Sequence, residues 1–220
     1  MSGTRLSSYK LTADAGFAPN PFFGTLTLAT CMPDIRQSAA VDDWIAGFTS
    51  VSLCGDAVGA ERLVFLMRVE EKLTIAGYFV DPRFARKIPS LNGGPEVERH
   101  GDNIYQPIRV NADVPEHFEQ LPNPHHWDSA RSCQDERSKG HDVGGRCVLA
   151  AQEFVYFGRE PLQVPEFARP VVPRGQSRSG TLTPDPELAR AFIDFALGKA
   201  SRQVTAPPHV WPDVDDSWRQ

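Results

Sequence analysis

Two prolines separated by a single residue, Pro19 and Pro21, constrain this chain more than any other feature of its sequence. Each proline fixes its own φ and pushes the preceding residue into an extended conformation, so residues 16–21 (GFAPNP) cannot form a helix or a regular strand. Asn20 therefore lies on a stiff loop, where its amide offers a donor and an acceptor at a fixed place. We expect Asn20 to recognise a ligand. The alternative is an Asx turn in which the amide bonds its own backbone.

The rest of the chain predicts an α+β fold with short strands and long connections. Nineteen prolines and seventeen glycines favour turns over a helical bundle. Alternating or continuous apolar residues predict strands within residues 6–12, 23–29, 62–69 and 146–157. Asp185 and Pro186 are typical of a helix start, and apolar residues then repeat at helical spacing as far as Gly198. We therefore predict a small mixed or antiparallel sheet or barrel, long functional loops and a C-terminal helix.

The length of 220 residues suffices for a core without disulfides. We predict one domain over residues 1–200 and a weakly ordered acidic tail over residues 201–220, with Asp213, Asp215 and Asp216. Four cysteines without a CxxC pair, and no apolar signal segment, indicate a reduced, cytoplasmic protein whose cysteines pack as small core residues. No apolar segment approaches the roughly 20 residues that a membrane span needs.

The net charge of -5 argues against a protein that binds nucleic acid loosely through a basic surface. Basic residues nevertheless concentrate in the middle of the chain, at Arg83, Arg86, Lys87, Arg99 and Arg109. A local basic surface therefore remains compatible with the composition.

Residues 81–146 show few regular patterns, and prolines, glycines, histidines and charges dominate them. A connection of that length inside a compact domain is more often functional than idle, with disorder as the alternative. The chain has no P-loop, GxGxxG, GxSxG or HExxH pattern, which removes the commonest nucleotide-hydrolysing, dinucleotide, serine-hydrolase and zincin interpretations.

A first polar cluster in this region consists of Asp81, Arg83 and Lys87. Arg83 and Lys87 are candidates for holding phosphates, because a guanidinium can bind a phosphate through two parallel hydrogen bonds. Asp81 is a second-choice catalytic carboxylate. The alternative is that Asp81 and Pro82 only open a turn.

A second cluster follows Gly101. Asp102 is the first-choice catalytic carboxylate, because such a group can stabilise positive charge at a sugar carbon. Asn103 would act with Asn20 in reading a base edge, and Phe22 and Tyr105 are the aromatic residues expected to stack on an extruded base. The alternatives are a tight turn here and core packing for the aromatic residues.

A third cluster consists of His125 and His126, with Cys133, His141 and Asp142 downstream. The spacing matches no named zinc pattern, and we expect neither a metal nor a cofactor. His125 and His126 are candidates for proton transfer, since a histidine paired with a carboxylate suits that role. A surface loop is the alternative.

One set of segments resembles the nucleotide modification associated domain 2 family: GFAPNPFFGTLTLATCMPDIR, DDWIAGF, LMRVEEKL, DPRF, GDNIY and VLAAQEFVYFG. The resemblance spans residues 9–158 and implies a role in phage and bacterial systems that make or handle modified DNA bases. The family commonly has a histidine where Gln106 stands, and Arg131, Ser132 and Cys133 replace a serine–histidine pair. The step from Asp42 to Gly47 is similar to PUA-like domains, which accept flipped or modified bases.

These observations favour an enzyme, a DNA glycosylase that flips out a bulky modified pyrimidine, such as glucosylated hydroxymethylcytosine of phage DNA, and leaves an abasic site. The resemblance suggests a relation to a phage-restricting glycosylase of such DNA. Two alternatives remain open: a non-catalytic reader of modified bases, and an enzyme that builds the modification. The expected partner is DNA carrying modified bases, with no membrane and no identified protein partner.

Overall fold

The computed structural model of the protein describes residues 4–175, 180–212 and 218. The predicted acidic residues Asp213, Asp215 and Asp216 lie outside this part of the chain. The chain divides into two compact units, each built from separate segments. The first unit comprises Met1–Ala15, Ala39–Glu70 and Ala151–Trp211, and the second comprises Gly16–Ser38, Glu71–Ala150 and Pro212–Gln220.

Twelve strands are described: β1 (Leu6–Lys10), β2 (Leu26–Leu28), β3 (Trp44–Phe48), β4 (Leu63–Arg68), β5 (Glu71–Thr74), β6 (Tyr105–Pro107), β7 (Phe118–Gln120), β8 (Trp127–Asp128), β9 (Cys133–Gln134), β10 (Cys147–Ala151), β11 (Phe154–Tyr156) and β12 (Thr181–Thr183). The α-helices are α1 (Pro33–Ser38), α2 (Val51–Cys54), α3 (Ile75–Val80), α4 (Glu96–Arg99), α5 (Glu136–Gly144) and α6 (Pro186–Lys199). Short 3-10 helices span Pro82–Lys87, Pro115–His117 and Glu166–Ala168.

A five-stranded sheet forms the first unit, in the order β11-β4-β3-β1-β12. Strands β1 and β3 run parallel, and the other described pairs are antiparallel. Strand β4 lies inside the sheet with five of its six residues buried, as its continuous apolar run predicts. A side chain at Gly47 on β3 would collide with the Phe65 ring, so the glycine allows these strands to pack closely.

Helix α6 packs its apolar face on the first unit. Asp185 caps it by accepting hydrogen bonds from the backbone N–H groups of Glu187 and Leu188, at 2.9 and 3.3 Å. The Phe192 ring stacks on Phe48 with 5.9 Å between ring centroids. The helix predicted from Asp185 to near Gly198 is therefore confirmed, and its buried residues form one core with the sheet.

The second unit contains a three-stranded sheet in the order β2-β10-β5, with the hairpins β6-β7 and β8-β9. The single strand predicted over residues 146–157 is two strands, because β10 pairs in this sheet and β11 pairs in the sheet of the first unit. The polar residues Gln152 and Glu153 lie between the two strands. Glu153 pairs with the Arg68 guanidinium through its side chain, and its carbonyl accepts the Arg68 backbone N–H at 3.0 Å.

The α+β prediction is confirmed in its sheet form. The described strands form separate sheets and no closed barrel, so the barrel alternative is wrong for this part of the chain. Residues 81–146 carry more regular structure than the sequence indicates, including the nine-residue helix α5. Its sequence, ERSKGHDVG, has no apolar stripe and so gave no helical signal.

The described part of the segment after α6 makes defined contacts inside the first unit. Thr205 donates its backbone N–H to the carbonyl of Tyr156 at 2.8 Å. The buried Trp211 indole donates to the Ala15 carbonyl at 2.8 Å. A weakly ordered acidic tail over residues 201–220 stays a prediction. Among the described residues, no helix has the length and apolar character needed to cross a membrane.

Candidate active site

Cys31 lies in the turn that joins β2 to α1 in the second unit. Its φ is 57° and that of Met32 is 38°, a left-handed conformation that disfavours residues with side chains. The Cys31 backbone N–H donates to Asp142 Oδ1 at 2.7 Å, and its carbonyl accepts from Arg36 Nε at 2.8 Å. These two hydrogen bonds stabilise the turn despite its unfavourable backbone conformation. The Cys31 thiol in this turn is half-buried.

His126 connects this thiol to a buried carboxylate. Its Nε2 lies 3.7 Å from Cys31 Sγ, and its Nδ1 lies 2.6 Å from Asp142 Oδ2. The Tyr105 hydroxyl donates to the same carboxylate oxygen at 2.6 Å. The Asp142 side chain is fully buried, whereas His126 is 18% exposed. Thiol, imidazole and carboxylate thus form a chain in the order used for nucleophilic catalysis.

The surroundings give His126 a positive charge at neutral pH. Burial by itself would lower the pKa of His126, but the hydrogen bond and charge of Asp142, together with Cys31, outweigh it and raise the pKa to about 10. Burial, and then the charge of Asp142, raises the pKa of Tyr105, so its hydroxyl stays a neutral donor. His126 can therefore donate a proton from Nε2 toward the half-buried side of the site.

Arg36 fixes the elements that carry these residues. Its buried guanidinium donates to the carbonyls of Cys31, Asp142 and Cys147, at 2.8, 2.6 and 2.7 Å. Burial lowers the pKa of Arg36, and the charge of Asp142 partly offsets that effect. A side chain at Gly145 would collide with this guanidinium. One cation therefore joins the Cys31 turn, the end of α5 and the start of β10.

His125 lies in a second histidine chain. Its Nε2 is 2.7 Å from His100 Nδ1, and His100 Nε2 is 3.1 Å from Glu96 Oε2. The Phe17 ring packs against both His125 and His126, at 4.6 and 5.1 Å between centroids. Burial, with the charges of His100 and His126, lowers the pKa of His125 to about 4. The two predicted proton-transfer residues thus differ, since His125 is neutral and His126 is charged.

Asn20 is held on its loop as predicted, but its amide points into the protein. Asn20 is fully buried, and its Oδ1 accepts from Lys87 Nζ at 2.8 Å and from the Phe22 backbone N–H at 3.2 Å. Its Nδ2 donates to the His100 carbonyl at 3.1 Å. The hydrogen bond from the Phe22 backbone is the one expected of an Asx turn, which was the alternative interpretation of Asn20. The buried Lys87 ammonium is a second partner of the same oxygen.

Asp102 belongs to the same buried network. Its carboxylate accepts hydrogen bonds from the hydroxyls of Thr27 and Tyr78, each at 2.6 Å. Burial raises the pKa of Asp102, and the charge of Lys87 partly offsets that effect. Asn20 and Asp102 therefore lie in one network around Lys87, and all three side chains are enclosed.

The other base-binding candidates are also enclosed. Phe22 and Tyr105 are 3% and 2% exposed, and Asn103 Nδ2 donates to the carbonyls of Tyr78 and Phe84 at 3.2 and 3.3 Å. Of these residues, Tyr105 donates its hydroxyl directly to Asp142 of the Cys31–His126–Asp142 chain.

Arg83 is exposed but already paired. It donates to both oxygens of Glu71 at 2.6 and 2.8 Å, and to Asp81 at 2.7 Å. Asp81 also accepts the Arg83 backbone N–H at 2.9 Å, which caps the following 3-10 helix, and Arg83 lowers the pKa of Asp81. A guanidinium between two carboxylates carries little free charge for a phosphate. Lys87, the second phosphate candidate, is fully buried.

An open groove of about 620 Å³ lies elsewhere in the second unit. Its largely apolar lining includes Ala85, Ile88, Pro89, Leu91, Leu121 and Pro122. Pro122 is one of its lining residues, and the next residue, Asn123, caps the turn that carries the two histidines by accepting from the backbone N–H of His126 at 2.7 Å.

Cys31, His126 and Asp142 also comprise ligand types suited to a metal, with one such atom of each within 4.8 Å of the others. However, His126 Nδ1 and both Asp142 oxygens are already hydrogen-bonded. The expectation of a site without metal stays a prediction.

Comparison with known protein families shows which family the chain belongs to. The model for nucleotide modification associated domain 2 matches residues 4–214. The chain belongs to this family. The match confirms the resemblance noted in the sequence and extends it to both sides of residues 9–158. No curated protein and no solved structure matches the chain.

Membership of the nucleotide modification associated domain 2 family places this protein among those associated with modified nucleotides. The central residues of the site, Cys31, Arg36 and Asp142, were not predicted as such. The cysteines were interpreted as core residues, and Asp142 only as a neighbour of the histidines. The available signal was a cysteine directly after a predicted strand and before Pro33, where a strained turn can present a side chain.

Proposed function

We propose that this protein is an enzyme that acts on a modified nucleotide in DNA, with Cys31, His126 and Asp142 as its reaction centre. The observation that supports this most is the hydrogen-bonded chain from a half-buried thiol to a buried carboxylate, in a family associated with nucleotide modification. The proposed reaction is excision of a bulky modified pyrimidine, such as glucosylated hydroxymethylcytosine, by base flipping.

In this proposal His126 is the acid and Cys31 is the nucleophile. The imidazolium donates its Nε2 proton to the pyrimidine as the C1′–N1 bond breaks, and the bonding electrons leave with the base. Cys31 reacts as the thiolate that pairs with the imidazolium, and its sulfur forms the bond to C1′. Water then displaces the sulfur, which leaves as the thiolate, and gives one proton to His126, so that an abasic site remains. Asp142 orients the imidazole and maintains its charge.

The buried network of Asn20, Lys87 and Asp102 has a positioning role in this proposal. Asp102 was the first-choice catalytic carboxylate, but both of its oxygens accept hydrogen bonds inside the protein. Lys87 joins the Asn-Pro loop to the 3-10 helix Pro82–Lys87, so the network keeps the wall of the site in place. We propose that the apolar groove that includes Pro122 in its lining receives part of the flipped nucleotide.

A cleavage assay tests the proposal. Phage genomes with and without glucosylated hydroxymethylcytosine are incubated with the protein, and alkali then cuts the strand at any abasic site. We expect cuts in the modified genome only. Cys31→Ser and His126→Gln should lower the rate by about 10²-fold or more. Cys133→Ser is the matched control, because Cys133 is exposed on β9 outside the reaction centre. Full activity of Cys31→Ser would exclude the proposed centre.

The Cys31 thiol favours one second candidate, an enzyme that builds or alters the modification. A thiol can add to C6 of a pyrimidine and activate C5 for substitution. Duplexes with 5-fluorocytosine distinguish the two reactions, because the fluorine blocks release of such an adduct. A protein–DNA adduct on Cys31, without abasic sites, would favour this candidate. Binding of the modified duplex with neither product would favour a non-catalytic reader.

A further inference from the structure

A second chain of thiol, imidazole and carboxylate lies in the first unit. Cys54 Sγ is 3.2 Å from His209 Nε2, and His209 Nδ1 is 2.8 Å from Asp14 Oδ2. The buried Tyr156 hydroxyl donates to Asp14 Oδ1 at 2.5 Å. The residue types and their order match those around Cys31, where Tyr105 takes the position of Tyr156.

The carboxylate of this second chain is well anchored. The Asp14 side chain is fully buried and accepts from the His209 backbone N–H as well as from its ring, whereas the His209 side chain is 13% exposed. Asp14 therefore fixes the tautomer in which Nδ1 carries the proton. His209 Nε2 is then left as an acceptor facing the Cys54 thiol.

Cys54 itself is reachable, because it is partly exposed at the last position of α2. Burial, followed by the charge of Asp56, raises the pKa of the Cys54 thiol. The thiol is therefore neutral at physiological pH and needs a base to become nucleophilic, and His209 is in place to act as one.

We propose that Cys54, His209 and Asp14 form a second nucleophilic site, which takes an acyl group from an activated ester or thioester. The Cys54 sulfur attacks the carbonyl carbon while His209 Nε2 accepts the thiol proton. His209 then returns this proton to the departing alcohol or thiol, which leaves a thioester on Cys54. Water hydrolyses the thioester and regenerates the thiol.

The test uses p-nitrophenyl acetate with the full-length chain. Nitrophenolate release gives the rate, and mass spectrometry of peptides locates the acetyl group. In wild-type protein we expect Cys54 to be acetylated faster than the exposed Cys133, although Cys54 is less accessible. Acetylation of Cys133 at an equal or higher rate would overturn the proposal.

Variants separate activation from simple exposure. In a Cys31→Ser, Cys133→Ser background, His209→Gln should slow acetylation of Cys54 by about 10²-fold. Circular dichroism and the melting temperature check that His209→Gln folds. If this variant does not fold, the comparison of Cys54 with Cys133 in wild-type protein tests the proposal alone. An unchanged rate in folded His209→Gln would show that His209 is not the base. DNA cleavage is scored separately, in protein that retains Cys31 and His126, so the two proposals can fail independently.

Discussion

His126 owes its charge to one buried carboxylate. Its pKa of about 10 lies above the ordinary histidine value, so the folded protein binds this proton more tightly than the unfolded chain. The resulting stabilisation is complete below about pH 6.5 and is lost as the pH rises through about 10. The same proton is the one that His126 would donate to a departing base.

The pH dependence of cleavage should reflect this proton. We expect kcat/KM to stay level above neutral pH and to fall as the pH passes about 10, because the acid form of His126 is the active one. In Asp142→Asn the opposing effect of burial dominates, so the falling limb should move to lower pH. If kcat/KM fell at the same pH in the wild-type protein and in Asp142→Asn, His126 would be excluded as the acid. Circular dichroism is the control for folding of Asp142→Asn.

Asn20 shows how far a single residue could be predicted. The two flanking prolines predict a stiff loop, and buried hydrogen bonds hold the Asn20 amide on it. The prolines could not indicate the direction of the amide, which depends on Lys87, 67 residues away along the chain. A buried ammonium needs several oxygen partners, and the loop supplies them at Asn20 and Thr25. Recognition of a base by Asn20 therefore stays a prediction.

At the scale of elements, the end of α5 depends on Arg36. We predict that Gly145→Ala shifts the guanidinium, because the added methyl group has no room beside it. The free energy of unfolding should fall by about 1–3 kcal/mol, as expected for overpacking, and cleavage should weaken as Asp142 moves. Urea denaturation and the cleavage assay measure the two effects.

Gly144→Ala is the matched control for that change. A methyl group at Gly144, the last residue of α5, meets no atom within 4 Å. Alanine should therefore leave stability unchanged or raise it by up to about 1 kcal/mol, since glycine is a poor helix former. Equal destabilisation by the two substitutions would show that crowding at Arg36 is not the cause.

Elements with an apolar pattern were predictable, and those without one were not. Strand β4 and helix α6 follow from continuous or periodic apolar residues, and Asp185 marked the helix start. Helix α5 is polar along its length and forms because Asp135 caps it and Val143 and Asp142 pack inside. The division between β10 and β11 depends on which sheet each strand joins, and local sequence does not encode that.

At the scale of the molecule, net charge should limit electrostatic binding of DNA. The protein carries a formal charge of -5, Arg83 is paired with two carboxylates and Lys87 is buried. We expect the affinity for duplex DNA to fall gently with salt, with a slope that corresponds to about 1–3 phosphate contacts. Binding measured from low to high sodium chloride gives this slope. A slope for roughly six or more contacts would mean that a basic surface dominates.

The proposed reaction centre was the least predictable part of the molecule. Its members lie at positions 31, 126 and 142, and only folding of the second unit brings them together. His126 was singled out because adjacent histidines are conspicuous. Cys31 was not, because an isolated cysteine is most often a core residue and its strained backbone is invisible in a sequence.

Arg36 has a consequence for how this protein can vary. Its guanidinium donates hydrogen bonds to three carbonyls. Two of them, at Asp142 and Cys147, lie more than a hundred positions later in the chain. The segment between Arg36 and these two residues contains strands β3 and β4 and the proposed acid His126, so it cannot be exchanged as a whole. Its loops can change in length, provided that Asp142 and Cys147 return to Arg36 and that His126 stays beside Cys31.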